Sequence, residues 1–279
     1  MQISHGNSLT PTRIRSTEFR WGERTYVMGI LNLSPDSFSG DGLGDNWPAV
    51  IARARQMETD GADIIDVGGE STRPGSKPIP VEDELFLMIP AIEKLLYAVS
   101  VPISIDTYKS KVAEQALKAG ANMINDVWGL KYDPQLAEVV ARAGTPLVLM
   151  SNQRDAPGHY DIMAEVISSL KRSLRLAEEA GITANNIIID PGIGFGKSME
   201  ENMLLISRLG DLKVLGKPIL LGTSRKFAAR QGPAKRLEAT SATTATGVAN
   251  GADIIRVHDV KEMVALARQS DAAFRKAVK

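Results

Sequence analysis

At 279 residues the chain has room for one large domain or two small ones, with enough apolar residues for a sizeable core. Thirty-three basic residues balance thirty-three acidic ones and no basic run stands out, which argues against a nucleic-acid footprint but leaves room for a local pocket that takes a small anion. There is no cysteine, so disulfides, thiolate nucleophiles and cysteine-held metals are excluded; no signal-peptide core or run of membrane-spanning length is visible, and the cytoplasm is the simplest location.

In chain order, RIRSTEFRWGERTYV (13–27) predicts a hairpin turning at Trp21–Gly22 and plugging one end of the molecule, with residues 1–24 forming an N-terminal extension. From residue 25 onward, apolar β-branched runs alternate with helix-length segments. The strands expected are 25–30, 63–68, 102–106, 123–127, 146–150, 186–190, 218–222 and 253–257. They read as unbroken apolar runs, as strands covered on both faces do. Between them, WPAVIARARQMETDGA carries Ile51, Ala54 and Met57 at helical spacing, and VEDELFLMIPAIEKLLYAV carries Leu85, Met88, Ile89, Ile92, Leu95 and Leu96 on one stripe. The acidic residues of the second helix crowd its first turn, where the helix dipole favours them. Eight strand–helix units over residues 25–279 predict a single-domain α/β protein, a (β/α)8 TIM barrel, rather than an open doubly wound sheet.

In such a barrel the chemistry lies at the C-terminal ends of the strands. There the sequence places Asn32, GGESTRPG (68–75), Asp106, Asn125–Asp126, Asp190, TSRK (223–226), and Arg256 with His258. Only the strand ending LMSNQR (149–154) looks chemically bland. One strand-end Asp or Asn is as readily a helix cap or Asx turn as a ligand. Asp106, Asn125 and Asp190 all capping toward one mouth is a less economical reading. With Lys226 nearby, they suit a flat, nitrogen-rich heterocycle, since Asp accepts paired hydrogen bonds and Asn can donate and accept. Arg73, Arg256 and His258 suit phosphate or pyrophosphate. A Mg²⁺ ion bridging a pyrophosphate would need only one or two protein oxygens.

PGIGFGKS (191–198) ends as a Walker A loop does, but Pro191 stands where that motif needs its first glycine, and Lys197 stands where a dinucleotide fingerprint needs its third. The glycines are read as letting the backbone turn sharply after the sixth barrel strand, with Gly194 and Phe195 close to the heterocycle. Lys197 is read as a loop lysine that contributes little to binding.

The blocks MGILNLSPDSFSGDG (28–42), GADIIDVGGESTRPGS (61–76), SIDTYKSKVAEQALKAGANMINDVWG (104–129), DPGIGFGK (190–197), GTSRK (222–226) and RVHDV (256–260) together closely resemble the dihydropteroate synthase family of pterin-binding barrels. The resemblance runs from about residue 25 to the C-terminus. It implies a transferase of folate biosynthesis that joins 6-hydroxymethyl-7,8-dihydropterin pyrophosphate to p-aminobenzoate. It also implies Mg²⁺ dependence, a homodimer, sulfonamides as inhibitors, and no nucleic-acid or membrane partner. Block by block, Asp106, Asn125, Asp190 and Lys226 match the pterin pocket. Asn32 matches the metal-handling position, and Arg73, Arg256 and His258 match the residues that manage pyrophosphate. Thr72, Arg73 and Pro74 would shape the aminobenzoate pocket, in loops 33–44 and 71–80 that close over the site. Asp106, Asp190, Lys226 and Arg256 would carry catalysis. Two positions depart from the family: Ser151 stands where a histidine is common, and Phe227 where some members have serine. Two other readings share parts of this pattern. One is a pterin-binding methyltransferase acting on methyltetrahydrofolate, which has no use for pyrophosphate contacts; the other is a non-catalytic barrel that binds pterin or phosphate.

Overall fold

The computed structural model describes residues 9–34, 42–72, 76–155, 161–228 and 231–275. In chain order come β1 (Thr12–Ile14), β2 (Thr17–Phe19), β3 (Tyr26–Asn32), α1 (Trp47–Thr59), β4 (Ile64–Gly68), α2 (Val81–Ala98), β5 (Ile103–Asp106) and α3 (Ser110–Lys118). There follow β6 (Met123–Asp126), α4 (Gln135–Ala143), β7 (Leu147–Met150), α5 (Ile162–Glu179), β8 (Ile187–Asp190) and α6 (Met199–Ser207). The chain continues with β9 (Leu220–Leu221), α7 (Pro233–Ala249), β10 (Ile254–Val257) and α8 (Val260–Phe274). Each strand expected from sequence is present. Strands β3 to β8 pair in sequence order, β10 joins β3 to β9, and a parallel bridge between Ile189 and Ile219 brings β8 to the β9 edge. The sheet is therefore a nearly closed (β/α)8 barrel. No helix among the described residues is long and apolar enough to cross a membrane.

Alternation along each strand explains the unbroken apolar runs. On β10, Ile255 and Val257 belong to the large core beneath the helices, whereas Ile254 belongs to a second cluster with Met28, Ile64, Met123, Val148, Ile188 and Leu220. That second cluster fills the barrel's axis at the N-terminal ends of the strands. One pleat further along, the inward positions turn polar: Asp66, Asp106, Asn125, Asp190 and Arg256. The interior is thus apolar below and charged above.

The hairpin closes the lower end. It turns at Arg15–Ser16, not at Trp21–Gly22, because Thr12 pairs with Phe19 and Ile14 with Thr17. Trp21 lies beyond the second strand as core: its ring is 5.7 Å from that of Phe19, and its Nε1 donates to Thr12 Oγ1 at 3.0 Å. Ile14, Phe19 and Trp21 all join the axial apolar cluster, so the hairpin acts as the barrel's floor. Helix α2 also departs from its expected stripe. Glu84 of its first turn is buried and accepts from Lys109 Nζ at 2.7 Å, a partner stronger than the helix dipole.

Candidate active site

Four strands contribute the floor of the upper cavity. Arg256 on β10 extends into the axis, where its Nε donates to Asp66 Oδ2 at 2.6 Å and its Nη2 to Asp106 Oδ2 at 2.7 Å. Asn125 on β6 donates through Nδ2 to the same Asp66 oxygen at 3.0 Å. These side chains are nearly enclosed, and Asp66 is 0% exposed. Because Asn125 gives its amide N–H to Asp66, its carbonyl oxygen is left to act as an acceptor. The Oδ1 atoms of Asp66 and Asp106 are buried and have no hydrogen-bond partner. An enclosed carboxylate oxygen without a donor is costly, so a donor-rich group placed here would be favoured.

The loops after β7, β8 and β9 build the wall above this floor. Asp190, closing β8, accepts from the Gly192 N–H at 2.7 Å. Phe195 carries two cations over its ring: the Arg154 guanidinium is 4.3 Å from the ring centroid and the Lys226 ammonium 4.9 Å. Lys226 also donates to the Ile193 carbonyl at 2.6 Å. Arg154 donates to the Thr72 carbonyl, tying the wall to the loop after β4. The segment LMSNQR, expected to be bland, therefore supplies a cation to the site. Lys197 is a loop lysine, as expected, and its ammonium donates to the carbonyls of Ser151, Gly192 and Phe195.

On the other side, His258 Nδ1 meets Ser224 Oγ at 2.9 Å, and Arg225 pairs with Asp259 at 2.7 Å. Asn32 ends β3 half-buried at the rim, with its backbone carbonyl accepting from Leu43 N–H at 3.2 Å. Arg73 and Pro74 lie outside the described residues, as do parts of both loops expected to close over the site. Arg256, expected to serve an anion beside His258, shares its charge between two carboxylates at the floor. Asp126 follows the capping alternative: it accepts from Trp128 and Leu130 N–H at 2.8 and 2.6 Å and shapes its own turn.

Burial dominates the electrostatics. It pushes Asp106 up to about 7 against the pull of Arg256, and it also raises Asp190, against the pull of Lys226. It draws Lys226 down to about 8, opposed by Asp190. The Lys226 side chain is exposed along the open cleft wall, and the crowding that matters is around its ammonium. Lys197 is drawn down to about 7 by the same cause. Among the described residues, no cluster of three or more His, Asp or Glu side chains could hold a metal ion. Sequence reasoning missed Asp66, Arg154 and Glu70. Glu70 anchors the loop after β4 by accepting from Lys109 Nζ at 2.7 Å and from the Tyr108 hydroxyl at 2.8 Å. An Asp inside the apolar run DIIDVG was the one signal available for the first of these.

The family model for pterin binding enzymes matches residues 28–258. The dihydropteroate synthase of Bacillus subtilis is 46% identical over 258 residues, covering 91% of this chain and 90% of that protein. The solved structure of a Clostridium difficile dihydropteroate synthase in the presence of pteroic acid superposes with a TM-score of 0.87 at 48% identity, over 92% of this chain and all of that one. The Yersinia pestis dihydropteroate synthase, solved with a sulfonamide drug, gives a TM-score of 0.88 at 35% identity over 95% of this chain and 98% of its own. The chain belongs to the pterin-binding enzymes and, among them, to the dihydropteroate synthase family.

Proposed function

We propose that this chain condenses 6-hydroxymethyl-7,8-dihydropterin pyrophosphate with p-aminobenzoate to give 7,8-dihydropteroate and pyrophosphate. The observation that carries the reading is the acceptor-lined floor, where Asp106, Asn125 and Asp190 lie at the ends of three strands around one cavity. A pterin edge offers amidine-like N–H donors, and these residues offer carboxylate and carbonyl oxygens. Asp66 and Arg256 hold the floor in register, since Asp66 fixes the Asn125 amide and Arg256 offsets two carboxylates. As the bond from the pterin methylene to pyrophosphate breaks, cationic character develops on the heterocycle, and Asp106 and Asp190 are placed to stabilise it. The amine of p-aminobenzoate then attacks the methylene carbon, pyrophosphate leaves, and the amine releases a proton to solvent.

Lys226, His258 and Arg73 would meet the leaving group's charge, and Thr72, Arg73 and Pro74 would border the aminobenzoate site, with Phe195 as a further ring wall. Gly194, without a side chain, lets the Lys226 stem pass: a Cβ there would lie 3.1 Å from Lys226 Cδ. Asn32, one amide oxygen at the rim, fits a Mg²⁺ ion that retains waters and is carried by the pyrophosphate. When bound, Mg²⁺ supplies charge neutralisation to the leaving group. A homodimer in the cytoplasm completes the proposal. In support of the dimer, Met199, Met203 and Leu204 on α6 are 50%, 45% and 41% exposed, an apolar face that a second copy would cover.

The test is turnover. Purified protein with the pterin pyrophosphate and Mg²⁺ should release pyrophosphate only when p-aminobenzoate is added. Release independent of the aminobenzoate would defeat the reading, and methyl transfer from methyltetrahydrofolate would replace it. Asp190→Ala should abolish pterin binding, and Asn32→Ala should raise the Mg²⁺ concentration needed for half-maximal rate.

A further inference from the structure

The motif PGIGFGKS contains features that substrate contact leaves unexplained. Two of its glycines are required by a neighbouring stretch of backbone. A Cβ on Gly192 would lie 2.1 Å from the Ser151 carbonyl oxygen, and one on Gly196 would lie 2.3 Å from the Gln153 carbonyl carbon. Both residues have φ of +73°, which side chains rarely adopt. The loop after β8 is therefore pressed backbone to backbone against residues 151–154, the loop after β7. Ser151 N–H donates to the Asp190 carbonyl at 2.9 Å, and Gln153 N–H to the Phe195 carbonyl at 3.2 Å.

Such close contact gathers carbonyl oxygens as well as donors. Lys197 reaches into the gathering: its Nζ is 2.9 Å from the Ser151 oxygen, 2.9 Å from the Gly192 oxygen and 3.2 Å from the Phe195 oxygen. An ammonium has three N–H donors and no acceptor, and here it meets three acceptors. We propose that Lys197, in its protonated form, bolts the loop after β7 to the loop after β8, and that it is a positioning residue for Asp190 and Phe195. Gly192 carries both ends of the argument. Its N–H holds the Asp190 carboxylate, and its carbonyl rests on the ammonium. Phe195 is held through its own carbonyl, and its ring is the surface on which Arg154 and Lys226 lie. Without the ammonium, the Ser151 carbonyl would lose its donor, the Gly192 and Phe195 carbonyls would keep only the N–H groups of Phe195 and Gln153, and the loops would loosen, moving the ring and both cations with them.

For its rate assay this inference rests on the synthase reading; for its thermal readout it does not. The experiment compares wild type, Lys197→Met, Lys197→Ala and Lys197→Arg. Lys197→Met should raise KM for both substrates by about tenfold while kcat changes by less than about threefold, the pattern of lost ground-state binding. Added n-propylammonium chloride, against a sodium chloride control, should restore KM in Lys197→Ala and leave wild type unaffected. Unchanged KM values in Lys197→Met would overturn the proposal. So would a loss that neither n-propylammonium nor Lys197→Arg relieves, because then the charge plays no part. If Lys197→Met does not fold, the melting temperature of Lys197→Ala decides: a rise with n-propylammonium beyond that of wild type supports the bolt, and no rise overturns it. Absence of wild-type turnover would count against the synthase reading while leaving that thermal comparison intact.

Discussion

Asp106 lies where burial and an ion pair oppose one another, and the sign of the outcome can be worked out. Its carboxyl is pushed up to about 7 from an ordinary value of 3.8, so between those values the fold holds a proton that the unfolded chain has released. Its contribution to stability is full below the unfolded value and declines as pH rises through the folded one. Pterin N–H groups favour the ionised carboxylate, so the thermal stabilisation produced by a pterin ligand should grow from pH 6 to pH 8. This rise is the alkaline limb expected of Asp106, whose carboxyl the Arg256 guanidinium holds below where burial alone would put it. Asp106→Asn should flatten it and weaken pterin binding by about 1.5–3 kcal/mol, or about ten- to a hundredfold, the range for a hydrogen bond to a charged group. Isothermal titration of a pterin across that range checks both, and an undiminished limb in Asp106→Asn would assign it elsewhere.

Lys226 gives the opposite sign. With its ammonium drawn down to about 8, an arriving pyrophosphate favours the protonated form, so binding near pH 8.5 should take up a proton. Titration in buffers of different ionisation enthalpy measures the uptake, and it should vanish in Lys226→Met. Much of this site could be read from residues alone, because Asp106, Asn125 and Asp190 each terminate a recognisable apolar run. Asp66 was harder: a carboxylate inside such a run is its one local mark, and only closure of the barrel shows that it meets Arg256. Arg154 was hidden for a related reason. Its function arises from a ring 41 positions further along the chain.

Among the elements, the barrel strands were the most legible, since burial on both faces leaves dense β-branched runs between helices with clear stripes. The hairpin was the least. Gly22, with φ of +89°, does sit in a turn, closed by the Glu23 N–H on the Arg20 carbonyl at 3.4 Å, but that turn follows the hairpin, which itself reverses at Arg15 with φ of 55°. Trp21 between the two is drawn into the barrel's axis. The same packing predicts that Phe19→Ala, in a fully buried site between Trp21 and Tyr26, should cost about 3–5 kcal/mol in urea denaturation. KM for both substrates should stay at the wild-type value, because the hairpin lies at the end of the barrel away from the acceptor floor. A raised KM would mean that floor and plug are coupled.

At the scale of the whole molecule, the exposed methionines of α6 and the acceptor-lined cavity make separate demands. If the proposed dimer forms through α6, a double change, Met199→Glu with Met203→Glu, should give a monomer in sedimentation velocity that still turns over, since both side chains are exposed to solvent rather than buried in the cavity. If the variant remained dimeric, the partner face would have to lie elsewhere. The plugged lower end has a consequence for traffic. With Ile14, Phe19 and Trp21 packed across that end, the described residues leave the upper mouth as the doorway, and whatever occupies the back must arrive first and leave last. With pterin on the acceptor floor and aminobenzoate nearer the door, as proposed, the finished product would depart by the path its pterin half took inward. Dihydropteroate should then compete with the pterin substrate in steady-state inhibition, and a second aminobenzoate arriving early should shut the doorway and slow the reaction at high concentration.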